Sequence, residues 1–319
     1  MRKVLFFLFV SVITATTISA QQIAVVSANG TTATYESLDE ALTEAVDGSV
    51  VYLPGGGFSV KNETKITKKL TILGVSHRAD TDNADGATMI NGNLNFEGGS
   101  DGSALMGGYL SGNVNIGTSE TSVQNILVKY CNINSVYVKN SLCLGIVINQ
   151  NYIRKSSTFG HSSATITNNI MGGSIYNVSN GTVKNNIIFN QMGSSSASSF
   201  TSNSIIANNI MIGFKAMDAF DCQVSRNMLA NRFWGDECIN LPEGTQWTDV
   251  FVNSSPGVSI QSDFHFKEAY QQYSDIGIYG GTGFNDEALA PVPRIVSKNI
   301  PQQTDTSGKL SINVQVKAK

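Results

Sequence analysis

A short pattern of apolar and polar positions recurs through the middle of the chain. In each copy a β-branched residue is followed by any residue, a polar residue, Asn and two mostly apolar residues. Successive copies start 18, 17, 23 and 18 residues apart. The copies are INQNYI (148–153), ITNNIM (166–171), VKNNII (183–188), IANNIM (206–211) and VSRNML (224–229), with VKYCNI (128–133) as an imperfect earlier copy.

This spacing predicts a repeat architecture. A period near twenty residues is typical of stacked supersecondary units, and each copy is too short for a pair of helices and lacks the leucine-rich consensus. Ile and Val flanked by Gly, Ser and Asn favour strands and turns. We therefore expect an all-β parallel solenoid whose successive turns stack at the inter-strand spacing of roughly 4.8 Å.

The asparagine shared by the copies has a structural explanation. Stacked turns place one Asn of each copy directly above the next, and Asn at a bend tolerates left-handed backbone angles and bonds to nearby backbone groups. In register, each carboxamide can also donate to its neighbour. We expect a ladder that satisfies polar groups at a partly buried bend and does not bind a ligand. Its members are Asn151, Asn169, Asn186, Asn209 and Asn227.

Residues 35–48 (YESLDEALTEAVDG) predict one amphipathic helix before the first strand of the solenoid. Ser37 followed by Glu40 is a capping box, and the apolar residues up to Val46 share one helical face. Gly48 is suited to end the helix. We expect the helix to cover the first coil, whose end would otherwise expose apolar surface and unpaired strand edges.

The segments that follow this helix resemble a known family. After the predicted helix come VYLPGGGFSV (51–60) and ITKKLTILG (66–74), and FVNSSPGVSIQSDFHFKEAYQQYSDIGIYGG (251–281) is similar to the closing coil of many secreted bacterial β-helix proteins. Over roughly residues 35–285 the chain resembles the right-handed parallel β-helix proteins of the pectate lyase-like superfamily. The resemblance implies the fold but leaves the activity open, because that superfamily holds lyases, hydrolases, esterases and adhesins.

The start of the chain is typical of a secretory signal peptide. Two basic residues at positions 2 and 3 precede the apolar run Val4–Ile13, and Ala20 suits cleavage. No Cys follows directly, and no later segment has the roughly eighteen apolar residues of a membrane span. We predict a secreted, periplasmic or cell-surface protein with no lipid anchor and no transmembrane segment.

Beyond the repeats, three prolines between residues 286 and 308 indicate a linker, and alternating apolar residues in 309–317 predict a half-buried strand. That strand covers the last coil or pairs with something else. The predicted division is a signal peptide (1–20), a cap with a helix (21–49), a right-handed parallel β-helix of about ten coils (50–288) and a linker with a C-terminal strand (289–319).

The net charge limits the kinds of partner that the protein can bind, and the cysteines leave two structural alternatives. Without Arg2 and Lys3 the chain has 19 basic and 24 acidic residues, a net charge of −5. Nucleic acid is excluded as a partner, because phosphate binding needs clustered Lys and Arg. The four cysteines form two disulfides in one of three pairings, or they are small buried side chains. They are Cys131, Cys143, Cys222 and Cys238.

The chemistry of the family supplies residues to search for. A β-helix glycoside hydrolase needs at least two carboxylates at its site, and the family's hydrolase signature includes Asp-Asp and Gly-His-Gly. The chain has no Asp-Asp, and its nearest match to the second element is Gly160–Ser162 (GHS), which argues against a polygalacturonase. A lyase would use an Arg or Lys base, commonly with Ca²⁺. The acidic stretch 80–85 lacks the spaced Glu of an EF-hand, so we predict no cofactor and leave Ca²⁺ as an alternative.

Acidic and aromatic residues cluster late in the repeat region. Glu120 is the only carboxylate between Gly102 and Met217, and five carboxylates then follow within 26 residues. Long excursions from a solenoid often carry its binding surface. The candidates for acid–base chemistry are Asp236, Glu237, Arg226 and Arg232, and those for substrate binding are Asp218, Asp221, Trp234 and Trp247. The alternative is a solvated loop with Arg–Asp pairs on its surface.

Three functions remain open at this stage. We favour a carbohydrate-associated protein that binds a polysaccharide or other glycan on the coil face. The first alternative is a polysaccharide lyase or glycoside hydrolase that uses the cluster at 214–247. The second is a structural surface protein or adhesin without catalysis.

Overall fold

The protein is represented by a computed structural model. It describes residues 22–77, 86–189, 201–212, 219–230, 235–254, 262–286, 294–299, 301, 303–304 and 306–317. The predicted signal peptide and the acidic stretch 80–85 lie outside these residues.

The chain folds as an all-β solenoid of about 8 turns, with 47% strand and 7% helix. It begins with a cap made of β1 (Ile23–Val26), β2 (Thr32–Tyr35) and helix α1 (Leu38–Glu44). β1 is antiparallel to both β2 and β3, and all strands of the coils then pair in parallel. The strands of the first coils are β3 (Ser49–Leu53), β4 (Gly56–Ser59), β5 (Lys65–Ile66), β6 (Leu70–Gly74), β7 (Thr88–Asn91), β8 (Leu94–Phe96), β9 (Ala104–Leu110), β10 (Val114–Ile116), β11 (Leu127–Ile133) and β12 (Val136–Val138).

The later coils have the same plan with shorter strands, because the Asn-containing bend divides the long strand in two. Their strands are β13 (Ile146–Asn149), β14 (Tyr152–Ile153), β15 (Ser157–Ser162), β16 (Ala164–Thr167), β17 (Ile170–Met171), β18 (Ile175–Val178), β19 (Thr182–Lys184), β20 (Ile187–Ile188), β21 (Thr201–Ser202), β22 (Ile205–Ala207), β23 (Ile210–Met211), β24 (Ala219–Phe220), β25 (Gln223–Ser225), β26 (Met228–Ala230) and β27 (Ile239–Leu241).

The winding of the chain produces three faces, and the strands within each face are parallel. Face one contains β3, β6, β13, β16, β19, β22 and β25 with the first halves of β9 and β11. Face two contains β4, β7, β14, β17, β20, β23, β26 and β27 with the second halves of β9 and β11. Face three contains β5, β8, β10, β12, β15 and β18. Alternate residues point inward, so columns such as Ile148, Ile166 and Val183 form a core with no exposed surface.

The predicted asparagine ladder is present at the bend between faces one and two. Asn169 Nδ2 donates to Asn186 Oδ1 at 3.0 Å, and the backbone N–H of Asn169 donates to the same oxygen at 2.9 Å. The same pair of bonds links each of the five asparagines to the next, and all five are fully buried. Cys131 begins the column, since its N–H donates to Asn151 Oδ1.

The left-handed backbone was predicted for the ladder asparagines, and this is wrong by one position. The residue before each ladder residue has the positive φ, for example Asn168 at 55°, Asn185 at 56° and Asn208 at 58°. The repeated Asn-Asn pair therefore divides two tasks. The first Asn makes the corner, and the second turns inward to bond with neighbouring coils.

A C-terminal segment packs against the outside of face two. It consists of α2 (Trp247–Val250), β28 (Phe251–Asn253), β29 (Asp263–Phe266), a 3₁₀ helix (Glu268–Tyr273) and the turns up to residue 286. It buries an outward column formed by Tyr152, Ile170, Ile187, Ile210 and Met228 under Val250, Phe251, Phe264, Phe266, Ile276 and Ile278. Corner residues hold it, since Asn168 Nδ2 donates to the carbonyls of Ile278 and Gly280 at 2.8 and 2.7 Å.

Three sequence predictions about elements need correction. The solenoid has about 8 turns and not ten. Where the sequence predicted a closing coil, the described residues form the antiparallel pair β28–β29 and a 3₁₀ helix against the side of the solenoid. Helix α1 is shorter than 35–48, because Ala45 turns to extended backbone (ψ 136°). The Ser37 cap is confirmed, with Oγ accepting from the N–H of Glu40 at 3.5 Å, but Val46 is 56% exposed.

The third correction concerns the C-terminal strand. The predicted linker contains β30 (Arg294–Asn299), which pairs antiparallel with β31 (Asn313–Lys317). Instead of being half-buried, the alternating apolar side chains lie in solvent. Their exposed fractions are 45% for Leu310, 57% for Ile312, 44% for Val314 and 62% for Val316. No helix in the described part of the chain is long and apolar enough to cross a membrane.

Candidate functional site

Five of the eight predicted site residues lie in described parts of the chain. They are Asp221, Arg226, Asp236, Glu237 and Trp247. Asp218, Arg232 and Trp234 lie outside the described residues, so their predicted roles stay predictions.

Arg226 and Glu237 occupy the same corner of successive coils. Arg226 has φ 51° and Glu237 has φ 50°, at the positions that Asn208 and Asn185 fill in earlier coils. Asn adopts this conformation far more readily than Arg or Glu, for which it costs roughly 1–2 kcal/mol. The corner position does not require Asn, however, since Gln150 fills it in an earlier coil at φ 55°.

Arg226 is engaged with the C-terminal segment. Its guanidinium lies 2.7 Å from a carboxylate oxygen of Asp275, and the two side chains are 42% and 56% exposed. Asn185 Nδ2 also reaches the Asp275 carbonyl, at 3.2 Å. Arg226 thus continues the row of corner residues that hold this segment, and an exposed pair of this kind contributes about 0.2–1 kcal/mol.

An open cavity of about 740 Å³ lies at the last coil. Asp221 and Asp236 both line it, and burial raises the pKa of Cys222, a further lining residue, so its thiol is protonated at neutral pH. The described lining residues are Ala219, Asp221, Cys222, Gln223, Val224, Ser225, Gly235 and Asp236. Two carboxylates in one cavity have the composition that acid–base hydrolysis of a glycosidic bond needs.

Trp247 does not line this cavity. Its ring stacks on Phe189, with centroids 4.2 Å apart and planes at 26°, and it lies 5.8 Å from Phe251 at 11°. Phe251 in turn contacts Phe264 edge-on at 5.4 Å. Trp247 therefore belongs to the aromatic cluster that holds the C-terminal segment on face two, and not to a sugar platform beside the two carboxylates.

A polar and aromatic row that the sequence analysis missed runs along the outside of face three. Strand register places one outward residue of each strand in a single file, which we call the face-three row. Its members are Lys65, Asn95, Asn115, Tyr137, Thr158 and Tyr176, and all are partly or fully exposed. The available signal was the repeated apolar–polar–apolar triplet, as in LNF (94–96), VNI (114–116) and VYV (136–138).

The carboxamides of the face-three row are fixed by neighbouring coils. Asn115 Nδ2 donates to Asn95 Oδ1 at 2.8 Å, and Asn95 Nδ2 donates to the carbonyl of Thr64 at 3.0 Å. Tyr137 and Tyr176 lie two coils apart, which corresponds to roughly 10 Å along the solenoid axis. The row therefore presents fixed polar groups and two aromatic rings along a nearly straight line.

A second missed cluster lies in the C-terminal segment. His265 Nδ1 is 2.7 Å from Asp263 Oδ1, and the imidazole stacks on the Tyr279 ring at 4.0 Å. Although partial burial opposes it, bonding to His265 holds the pKa of Asp263 below its usual value. Burial and the hydrogen bond to Asp286 raise the pKa of Tyr279. These contacts join β29 to the turn at Tyr279 and therefore stabilise the C-terminal segment internally.

Neither a metal site nor a disulfide is present among the described residues. No group of three or more His, Cys, Asp or Glu side chains there could hold a metal ion. None of the four cysteines forms a disulfide. Cys131 and Cys143 are buried, as the second hypothesis about them expected, whereas Cys222 and Cys238 are only partly buried. Burial raises the pKa of Cys131 to about 12, which makes its thiol unreactive at neutral pH.

Comparison with known proteins adds no assignment to these sites. No family model, curated protein or solved structure matches the chain.

Proposed function

We propose that the protein binds a glycan lengthwise on face three and that it acts outside the cytoplasm, as the predicted signal peptide implies. The face-three row is the observation that carries this proposal. Sugar rings stack on aromatic side chains, and their hydroxyls bond to carboxamides and hydroxyls, which are the groups that this row offers.

The charge of the row indicates which glycan fits. Lys65 is its only charged member, and this ammonium lies 3.0 Å from Glu97. The five other members are Asn, Thr or Tyr. A row without surplus positive charge favours a neutral glycan over a uronate polymer, whose carboxylates need cationic partners.

Substitution of the two tyrosines tests the proposal. Tyr137→Ala and Tyr176→Ala each remove one stacking ring, and we expect each to weaken binding to a neutral polysaccharide roughly tenfold, the equivalent of about 1.4 kcal/mol. Binding is measured by titration calorimetry after a glycan array has identified a ligand. Tyr52→Ala is the matched control, because Tyr52 is a 38% exposed tyrosine of face one. Equal affinity of all four proteins, or no binding across the array, would contradict the proposal. The remaining hypothesis would then be a structural surface protein.

The cavity at the last coil supports a second candidate, a polysaccharide lyase or hydrolase of the pectate lyase-like type. Asp221 and Asp236 in one cavity favour hydrolysis over lysis. Incubation with uronate-containing and neutral polysaccharides separates the candidates. New reducing ends that disappear in Asp236→Asn would support hydrolysis, and binding without any product would support the binding protein.

A further inference from the structure

The hairpin β30–β31 is incomplete as a folded unit. A two-stranded hairpin alone is marginally stable in water and needs a third strand or a packed face. In the described part of the chain each of its strands pairs only with the other, and the apolar side chains of β31 are exposed. A strand edge in this state is a template for pairing with another chain.

The N-terminal cap presents the complementary edge. β2 pairs with β1 on one side, and among the described residues no strand lies on its other side. Thr32, Ala33 and Thr34 are exposed along this edge. An edge with small and β-branched residues can accept one more antiparallel strand.

The two elements carry opposite charge. Residues 22–60 contain no Lys or Arg and five carboxylates, at Glu36, Asp39, Glu40, Glu44 and Asp47. Glu40 and Glu44 lie one turn apart on α1, and both are exposed. Lys68, the basic side chain bonded to this helix, donates to the carbonyls of Thr43 and Ala45 and not to these carboxylates.

In the hairpin region, basic residues outnumber acidic residues. Residues 294–319 contain five basic residues and one acidic residue. Two of these basic residues, Arg294 and Lys317, are partners in the β30–β31 register. An acidic surface is the electrostatic complement of a hairpin with this charge balance.

We propose that β31 of one molecule adds to the free edge of β2 in a second copy, so that the hairpin of each chain docks on the acidic cap of the next. The interface joins two different surfaces of the same protein. Contacts of this heterologous kind generate rings or open-ended fibres. The association is independent of the proposed glycan binding, because face three is not part of it.

Sedimentation velocity of the full chain tests this arrangement. We expect the mass of the wild type to rise with protein concentration at about 0.01 M salt and to fall at about 0.15 M, where the Debye length shortens from about 30 to about 8 Å. Glu40→Lys with Glu44→Lys should weaken association about tenfold or more, since attraction becomes repulsion at two positions. Glu120→Lys with Glu243→Lys makes the same charge change at exposed positions elsewhere and should leave association unchanged.

A charge swap distinguishes docking from misfolding. Arg294→Glu with Lys317→Glu should also remove association, whereas an equimolar mixture of this variant with the Glu40→Lys, Glu44→Lys variant should restore it. In that mixture the unchanged basic hairpin of one variant meets the unchanged acidic cap of the other, and the altered cap and altered hairpin carry opposite charges at the substituted positions. A monomeric wild type at every concentration, or a mixture that stays monomeric, would overturn the proposal.

Discussion

At the residue scale, every side-chain nitrogen and oxygen of the ladder asparagines has a hydrogen-bond partner. Asn186 Nδ2 donates to Ile166 O, Lys184 O and Asn209 Oδ1 at 2.9 to 3.0 Å. Its Oδ1 accepts two bonds from Asn169. A fully buried carboxamide with this many bonds links three coils at once, and no shorter or apolar side chain can replace it.

We therefore expect Asn186→Ala to be strongly destabilising. The substitution leaves the buried Asn169 N–H without its acceptor. It also removes the side-chain bonds to Ile166 O, Lys184 O and Asn209 Oδ1. A buried polar group that loses its partner costs about 1–3 kcal/mol. The free energy of unfolding, measured by urea titration, should fall by roughly 3–5 kcal/mol. Asn240→Ala, at an exposed asparagine of β27, should change it by less than about 0.5 kcal/mol. Similar losses in the two variants would contradict the ladder's role.

At the element scale, the C-terminal segment is attached by aromatic packing more than by its ion pair. Phe251 is fully buried among Trp247, Phe264 and Phe266. The Arg226–Asp275 pair is about half exposed. Removing a buried Phe costs about 3–5 kcal/mol, whereas an exposed pair contributes at most about 1 kcal/mol.

This difference predicts how the two contacts respond to substitution. Phe251→Ala should release the segment, so that hydrogen exchange of amides 262–282 accelerates roughly a hundredfold or more, the equivalent of at least about 3 kcal/mol. Arg226→Ala should accelerate it by less than about tenfold. If Arg226→Ala released the segment as fully as Phe251→Ala, the ion pair would be the main attachment. If it instead removed a polysaccharide-cleaving activity without loosening the segment, Arg226 would have the catalytic role that its sequence position suggested.

The ladder, its corners and the C-terminal segment differ in how far the sequence predicts them. The ladder was predictable because each copy repeats at a nearly constant interval, and parallel stacking then fixes the columns. The sequence analysis assigned the left-handed corner to the second Asn of each pair, one residue too far along the chain, because both members of an Asn-Asn pair suit left-handed backbone. Strand alternation indicates that Ile170 and Met171 face opposite sides, so an apolar cover over Ile170 was implied. The sequence did not show which segment forms that cover, because the C-terminal segment packs on coils about a hundred residues earlier in the chain.

The candidate site was less predictable than the fold. The charged and aromatic residues that lie close together in the sequence do not form one site in the structure. Arg226 and Glu237 are at corners, and Asp221 and Asp236 line a cavity. Trp247 packs in an apolar cluster. The face-three row had the opposite character. Its members are about twenty residues apart in the chain, and only the register of the coils brings them into one line.

At the scale of the whole molecule, the solenoid is covered unequally. Each coil contacts mainly its neighbours, so stability is close to a sum of coil and interface terms, and an uncovered end frays. The cap covers the first coil, while the C-terminal segment spans the later coils from Tyr152 to Met228. The two halves of the solenoid should therefore lose structure separately.

Leu42→Ala tests this separation, since Leu42 is fully buried in α1 and the change leaves a cavity that costs about 2–5 kcal/mol. We expect hydrogen exchange to accelerate in residues 22–60, while the amides of β16, β19 and β22 keep their protection, because the C-terminal segment still binds those coils together. Glu44→Ala, at an exposed position of the same helix, should change neither region. A uniform loss of protection from the first coil to the last would mean that the molecule unfolds as one cooperative unit, and the division into a capped half and a clamped half would then be wrong.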